Sequence, residues 1–222
     1  LMIQHKHIGC NKRGTDWFGG DLHGEYDLLM RTLNRVRFNF DADRLFSVGD
    51  IIDRGPDSQL CMDLLNEPWF YAVLGNHEDM LLRGLNDPIA RQLHIRNGGG
   101  WIEQHSTEAL QAYAQAITKH MPLSMTINSK HGRIGVIHAQ APLDWSTLGD
   151  STEWDDHLWS TEQHQLALTK RSRTISGVDL VIHGHVNCPY VTTGKNQVWI
   201  DTLLQSGRLT VTSAAQLFDL IR

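Results

Sequence analysis

Five times along this chain an apolar run of strand character stops at a knot of Gly, Asp, Asn and His. The knots read GDLHG at 20–24, GDIIDRG at 49–55, GNHE at 75–78, HAQAP at 138–142 and HGH at 183–185. One such stop signals only a turn, because glycine and aspartate favour turns and cost a strand least at its end. Five of one chemical kind constrain the fold, since loops behind the carboxyl ends of strands in an open α/β sheet gather at one crevice. Between the first three knots and just behind the third the chain has helical spacing: Leu29, Leu33 and Val36 within 26–37, a second helix over 57–65 opened by Pro56 and Asp57, and a third over 78–85. With strands at 16–19, 45–48 and 70–74 this predicts a βαβαβ unit and a mainly parallel sheet. A largely helical middle, 88–120, is broken by NGGGW at 97–101. Strands follow at 123–127, 134–137, 180–182, 197–200 and 209–212, in a half expected to be richer in antiparallel pairs.

The 222 residues contain no evident linker or internal repeat, which predicts one domain spanning 1–222. Three scattered cysteines, Cys10, Cys61 and Cys188, make neither a disulfide framework nor a thiolate zinc site, so a reducing, cytoplasmic setting is expected. No leader is read at the start of the sequence, and no run reaches the roughly 18 apolar residues of a membrane span. A net charge of −5 without a block of lysines or arginines argues against nucleic acid as a partner.

The knots supply one donor chemistry. Asp21, His23, Asp50, Asn76, His138 and His185 offer oxygen and imidazole without thiolate, which suits manganese, iron or zinc. Six candidates exceed what one four-coordinate zinc needs. Two metals about 3.5–4 Å apart sharing a carboxylate would use them, and such pairs drive displacement at phosphorus. Taken singly, each GD or HG is more readily a turn, and each histidine a hydrogen-bonded surface or core residue. That bland reading requires five independent coincidences.

In their order and intervals, GDLHG, GDIIDRG and GNHE resemble the signature of the phosphoprotein phosphatase family of metallophosphoesterases, and more narrowly its short bacterial and phage branch. NGGGW, HAQAP, LW at 158–159, HGH and IDT at 200–202 fall where that branch has similar segments, so the likeness runs over nearly the whole chain. It implies an α/β (α+β) calcineurin-like fold: a mixed β-sandwich flanked by helices, with the site on loops at the carboxyl ends of strands. Carried over by motif, Asp21, His23 and Asp50 would hold a first divalent metal, and Asp50, Asn76, His138 and His185 a second, manganese being expected ahead of iron or zinc. Water between the ions would attack phosphorus in line. His77 would protonate the departing oxygen, with Asp53 orienting its ring, and Arg54 would grip phosphate together with Asn76 and His77. The implied activity is hydrolysis of phosphoserine, phosphothreonine or phosphotyrosine in proteins; the oligomeric state is left open, with a monomer favoured. A symmetrical dinucleoside-tetraphosphate hydrolase is the alternative. A phosphate-binding protein that has lost catalysis is disfavoured, because every assigned ligand and His77 are intact.

The chain departs from the branch in places. An arginine expected two residues after Trp159 is replaced by Thr161, behind Ser160, and Lys170, Arg171 or Arg173 are the basic residues nearest in sequence to take its part. Gln140, Val186, Glu25 and Leu203 also differ from commoner residues, and His183 reads as structural. The stretch 143–156, rich in Trp, Asp and Ser, is expected to shape substrate access.

Overall fold

Phe18, Phe46 and Tyr71 stand in register across three neighbouring strands, their rings stacked at centroid separations of 5.5 and 5.0 Å. The strands are β2 (Asp16–Gly19), β3 (Arg44–Ser47) and β4 (Phe70–Ala72), following β1 (His5–Ile8). The structure, a computed structural model, describes residues 4–150 and 152–222. Ser151, within the stretch 143–156, and residues 1–3, where a leader was looked for, lie outside the described residues.

Alternation along these strands sorts the core. Phe18, Phe46 and Val48 point one way, into a layer shared with Met125, Ile134, Val136, Leu180, Ile182 and Val198, while Leu45 and Phe70 point the other way toward helices. That helical layer comprises α1 (Tyr26–Arg35) and α2 (Ser58–Asp63), which cross over between the parallel strands β2, β3 and β4. Leu29 and Leu33, one turn apart, form the buried stripe of α1. Next come α3 (Asn76–Gly84), α4 (Pro88–Arg96) and α5 (Thr107–His120). A short 3-10 turn, Gly99–Gln104, occupies the break expected at NGGGW.

The remaining strands are β5 (Ser124–Ser129), β6 (Gly132–Ile137), β7 (Leu180–His183), β8 (Thr192–Gly194), β9 (Gln197–Trp199) and β10 (Val211–Ser213). Two sheets face each other across the shared layer, one in the order β10-β2-β3-β4 and one in the order β1-β5-β6-β7-β9-β8. The fold is thus the expected mixed α/β sandwich flanked by helices. As expected, the antiparallel pairs β5–β6, β8–β9 and β10–β2 all involve strands of the later half, whereas β2–β3 and β3–β4 are parallel; within the larger sheet β1–β5, β6–β7 and β7–β9 are also parallel. The long excursion between β6 and β7, carrying α6 (Trp154–Trp159) and α7 (Glu162–Leu168), provides the crossover that a parallel pair needs. Strands β1 and β8 gave no sequence signal, because HKHI and TTG carry almost no apolar alternation and lie at the two edges of their sheet. Helices α8 (Leu203–Ser206) and α9 (Ala214–Leu220) complete the chain.

Candidate active site

Asp50, immediately behind β3, is the point at which the loops meet. Its Oδ2 lies 3.9 Å from Nε2 of both His23 and His77, and its Oδ1 lies 3.5 Å from His138 Nε2. Oδ1 also accepts the His77 backbone N–H at 3.0 Å, so a carboxylate satisfies one of the free donors at the start of α3. Asp21 accepts the His185 backbone N–H at 3.1 Å. A Cβ at Gly184 would collide with the Asp21 carboxylate, so only glycine lets the β7 loop close on the β2 loop. Asn76 Oδ1 sits 2.8 Å from His138 Nε2 and 3.1 Å from His185 Nδ1. All nine residues singled out in the sequence therefore share one site, fed by the loops after β2, β3, β4, β6 and β7.

Holding them there strains the chain. His23, Asp50, Asp53, Arg54 and His185 all have φ between 45° and 73°, a left-handed conformation that non-glycine residues adopt at a cost of order 1–3 kcal/mol each. Such outliers persist only where surrounding structure dictates them. Here the Glu78 carboxylate accepts the N–H groups of Asp50, Ile51 and Gly75 at 2.9–3.0 Å, fixing the β3 loop to the start of α3.

Hydrogen bonding decides which imidazole nitrogens are bare. His138 Nδ1 lies 2.7 Å from the Val48 carbonyl and must carry its proton, which leaves Nε2 without one and aimed at oxygens of Asn76 and Asp50. His185 Nε2 donates to the Trp159 carbonyl at 3.0 Å, leaving Nδ1 bare toward Asn76. His23 Nδ1 donates to the Ile52 carbonyl at 3.2 Å, and its bare Nε2 accepts from Arg54 Nη1 at 2.7 Å. Burial pushes His23 and His185 down to about 4 and lowers His138 as well, keeping all three uncharged. Lone pairs that face carboxylate and amide oxygens repel one another, and a cation among them removes the conflict. The donor set therefore fits divalent metal ions.

His77 differs. Burial alone would lower it, but the charge on Asp50 and the bond to Asp53 Oδ2, 2.6 Å from its Nδ1, raise it above the ordinary value. Asp53 is buried, yet hydrogen bonds from His77 and His94 hold it below the usual carboxylate range.

Three participants escaped the sequence reading. Glu78 stands three residues after the residue preceding α3, a capping-box position that identifies it in retrospect. Asp201 follows β9 in a sixth strand-then-polar stop. It is buried with neither carboxylate oxygen hydrogen-bonded, and burial, with the Asp50 charge, pushes it up to about 7. Burial and the facing Asp201 likewise raise Asp21 well above the carboxylate range. His94 gave no signal at all. His183 is structural as expected, stacked on Trp199 and bonded to Gln197.

At the rim, two departures from the family pattern meet, the Ser160 hydroxyl donating to Gln140 Oε1 at 2.8 Å. Thr161 is half-buried and accepts from Gln165. Lys170, Arg171 and Arg173 are exposed, and among the described residues no hydrogen bond or ion pair joins them to the site. Beside Trp159 opens a cavity of about 580 Å³ lined by Asp79, Arg83, Leu93, Asp155 and Ser160, in which Arg83 pairs with Asp79 and Asp155.

Comparison with known proteins bears on these loops. The family model described as calcineurin-like phosphoesterase matches residues 17–189. Serine/threonine-protein phosphatase 2 of Salmonella typhimurium strain LT2 is 35% identical over 208 residues, covering 90% of this chain and 93% of that protein. The symmetrical bis(5'-nucleosyl)-tetraphosphatase of Dechloromonas aromatica is 45% identical over 65 residues, only 28% of this chain and 24% of the other. A solved serine/threonine phosphatase from Saccharomyces cerevisiae superposes with a TM-score of 0.62 at 15% identity, over 89% of this chain and 70% of its own, a likeness of fold.

Proposed function

The chain belongs to the calcineurin-like phosphoesterase family of metal-dependent hydrolases, and from that premise we propose that it is a phosphomonoesterase acting on phosphoserine and phosphothreonine in proteins. One observation carries the reading: Asp50 meets five further oxygen and imidazole donors from the loops after β2, β4, β6 and β7, with the bare ring nitrogens turned inward. Asp21, His23 and Asp50 would hold one divalent ion and Asp50, Asn76, His138 and His185 a second, manganese ahead of iron or zinc. Bound there, the ions supply Lewis acidity toward phosphate oxygens and lower the pKa of water.

The protein's own groups do the rest. Asp21 and Asp50 offset dication charge while the neutral donors leave the site net positive, which attracts a phosphate dianion. His23 Nε2 cannot serve Arg54 and a metal at once, so loading the site frees the guanidinium, whose planar fork suits phosphate oxygens. Phosphate would also meet the Asn76 amide and His77. With its Nδ1 fixed on Asp53, His77 turns Nε2 toward the centre and holds a proton for the departing alkoxide. The phosphoprotein would lie across the rim beside Trp159.

Identity over most of the chain favours a protein phosphatase over a dinucleoside-tetraphosphate hydrolase: 35% over 90% of this chain for the former, against 27% over 72% of it for relatives of the latter kind. No helix among the described residues is long and apolar enough to cross a membrane. A cytoplasmic, monomeric enzyme of one domain is part of the proposal; the single domain rests on one core layer shared by both sheets and the reducing compartment on the free Cys10, Cys61 and Cys188. The test is turnover with manganese of a phosphoserine peptide against diadenosine tetraphosphate. Faster release of phosphate from the peptide is expected. Preference for the dinucleotide, or equal rates for wild type and Asp50→Asn, would overturn the reading.

A further inference from the structure

Asp53 carries more side-chain donors than any role as a partner of His77 demands. Its Oδ2 accepts from His77 Nδ1 at 2.6 Å and from His94 Nε2 at 2.7 Å, and its Oδ1 accepts from Trp101 Nε1 at 2.7 Å. The donors come from α3, from α4 and from the 3-10 turn behind α4. His94 is wholly buried, and its Nδ1 has no hydrogen-bond partner, so the only side-chain hydrogen bond its ring makes among the described residues is to Asp53. A Cβ at Gly99 would run into the His94 ring, so the glycine run at 97–101 makes room for this contact.

The torsion that turns a carboxylate about its last bond is soft, and one hydrogen bond to His77 would leave it free to swing. Two further N–H groups, one on each oxygen, fix its plane. We propose that His94 is a positioning residue for the reaction: through Asp53 Oδ2 it sets the orientation of the His77 ring, with Trp101 holding the other oxygen. The proposal rests on the reading that His77 protonates the leaving oxygen. Among the described residues no hydrogen bond or ion pair joins His94 to a candidate metal ligand, and its effect on His77 is routed through the shared Asp53 Oδ2.

A general acid matters most where the leaving group is poor, which gives a readout that mere loss of packing does not share. With manganese saturating, kcat of His94→Leu is expected to fall about tenfold or more on phenyl phosphate and much less on 4-nitrophenyl phosphate. KM and the manganese affinity measured by calorimetry are expected to stay unchanged. His94→Gln, whose amide N–H can replace Nε2–H, is expected to recover most of the loss. Equal falls on the two esters, or a glutamine variant no better than leucine, would overturn the proposal. Should His94→Leu not fold, Trp101→Phe keeps an aromatic ring between His105 and Tyr113 while removing the donor. It is expected to show the same leaving-group dependence, and wild-type rates on both esters would count against the proposal. Asp53→Asn separates the two layers of the argument. If it behaves as wild type on phenyl phosphate, the role of His77 fails; if it is slow while His94 variants are not, only the positioning claim fails.

Discussion

Behind β2, β3 and β4 the site carries the carboxylates Asp21, Asp50 and Asp53, Arg54 and four of its five left-handed residues, tied together by Glu78 and Asp53; behind β6, β7 and β9 it carries the uncharged imidazoles His138 and His185 and one carboxylate, Asp201, with no hydrogen bond. His77 and His138 show the contrast at its sharpest. Both are buried, both approach Asp50, and they move in opposite directions: His77 up, His138 down. The difference lies one bond further out, where His77 Nδ1 meets a carboxylate and His138 Nδ1 meets a neutral carbonyl. A ring backed by an anion retains a proton, and one backed by a carbonyl offers a lone pair. The small sheet thus supplies the proton together with the ligands Asp21, His23, Asp50 and Asn76, while the large sheet supplies only the imidazole ligands His138 and His185.

The largest blow to this division comes from removing the residue both halves share. Asp50→Asn is expected to lower kcat about a thousandfold, some 4 kcal/mol of transition-state stabilisation, and to reduce bound manganese below two ions per chain. Steady-state kinetics and metal analysis check both. Asp201 sharpens the contrast from the other side. Its folded pKa, about 7, lies above the usual 3.8, so its contribution to stability is complete only below pH 3.8 and is lost as pH rises through 7. Asp201→Asn is therefore expected to raise Tm of the metal-free protein at pH 7.5 while weakening manganese binding about tenfold. Thr161→Arg restores a cation to the large-sheet rim and is expected to lower KM for a small phosphoester about threefold, a modest gain because the position is half exposed to solvent screening. An unchanged KM would remove the rim from the account of phosphate binding.

The smallest effect concerns an imidazole far from the chemistry. Burial holds His5, bonded to Ser124 and Thr126 on β5, at about 4 instead of 6.5. Between those values the unfolded chain binds a proton that the folded chain refuses, so stability present above pH 6.5 is lost as pH falls toward 4. His5→Gln is expected to flatten that limb of a Tm against pH curve without altering kcat at pH 7.5.

The small-sheet half was legible because its elements announce themselves twice: apolar runs with helical or strand spacing mark β2, β3, β4 and α1, and each strand ends in a dense motif. Asp16–Gly19 was bounded correctly from DWFG alone. The pairing of the large sheet was harder to read, since parallel or antiparallel partnership depends on crossovers such as residues 138–179 that carry little periodicity. Among site residues, Asp21 and His185 could be placed by motif. His94 could not, since a histidine inside a helix looks like any other until tertiary packing brings it 2.7 Å from Asp53. Asp201 was visible as a strand-ending aspartate, but only the structure reveals that its oxygens are buried without donors.

The claim on which the rest depends is that loops from both sheets enclose a pair of cations around Asp50. Anomalous diffraction from crystals grown with manganese tests it directly. The expected result is two peaks about 3.5–4 Å apart, both within bonding distance of Asp50, one also beside Asp21 and His23, the other beside Asn76, His138 and His185. No peak there, or manganese bound only elsewhere on the molecule, would contradict it.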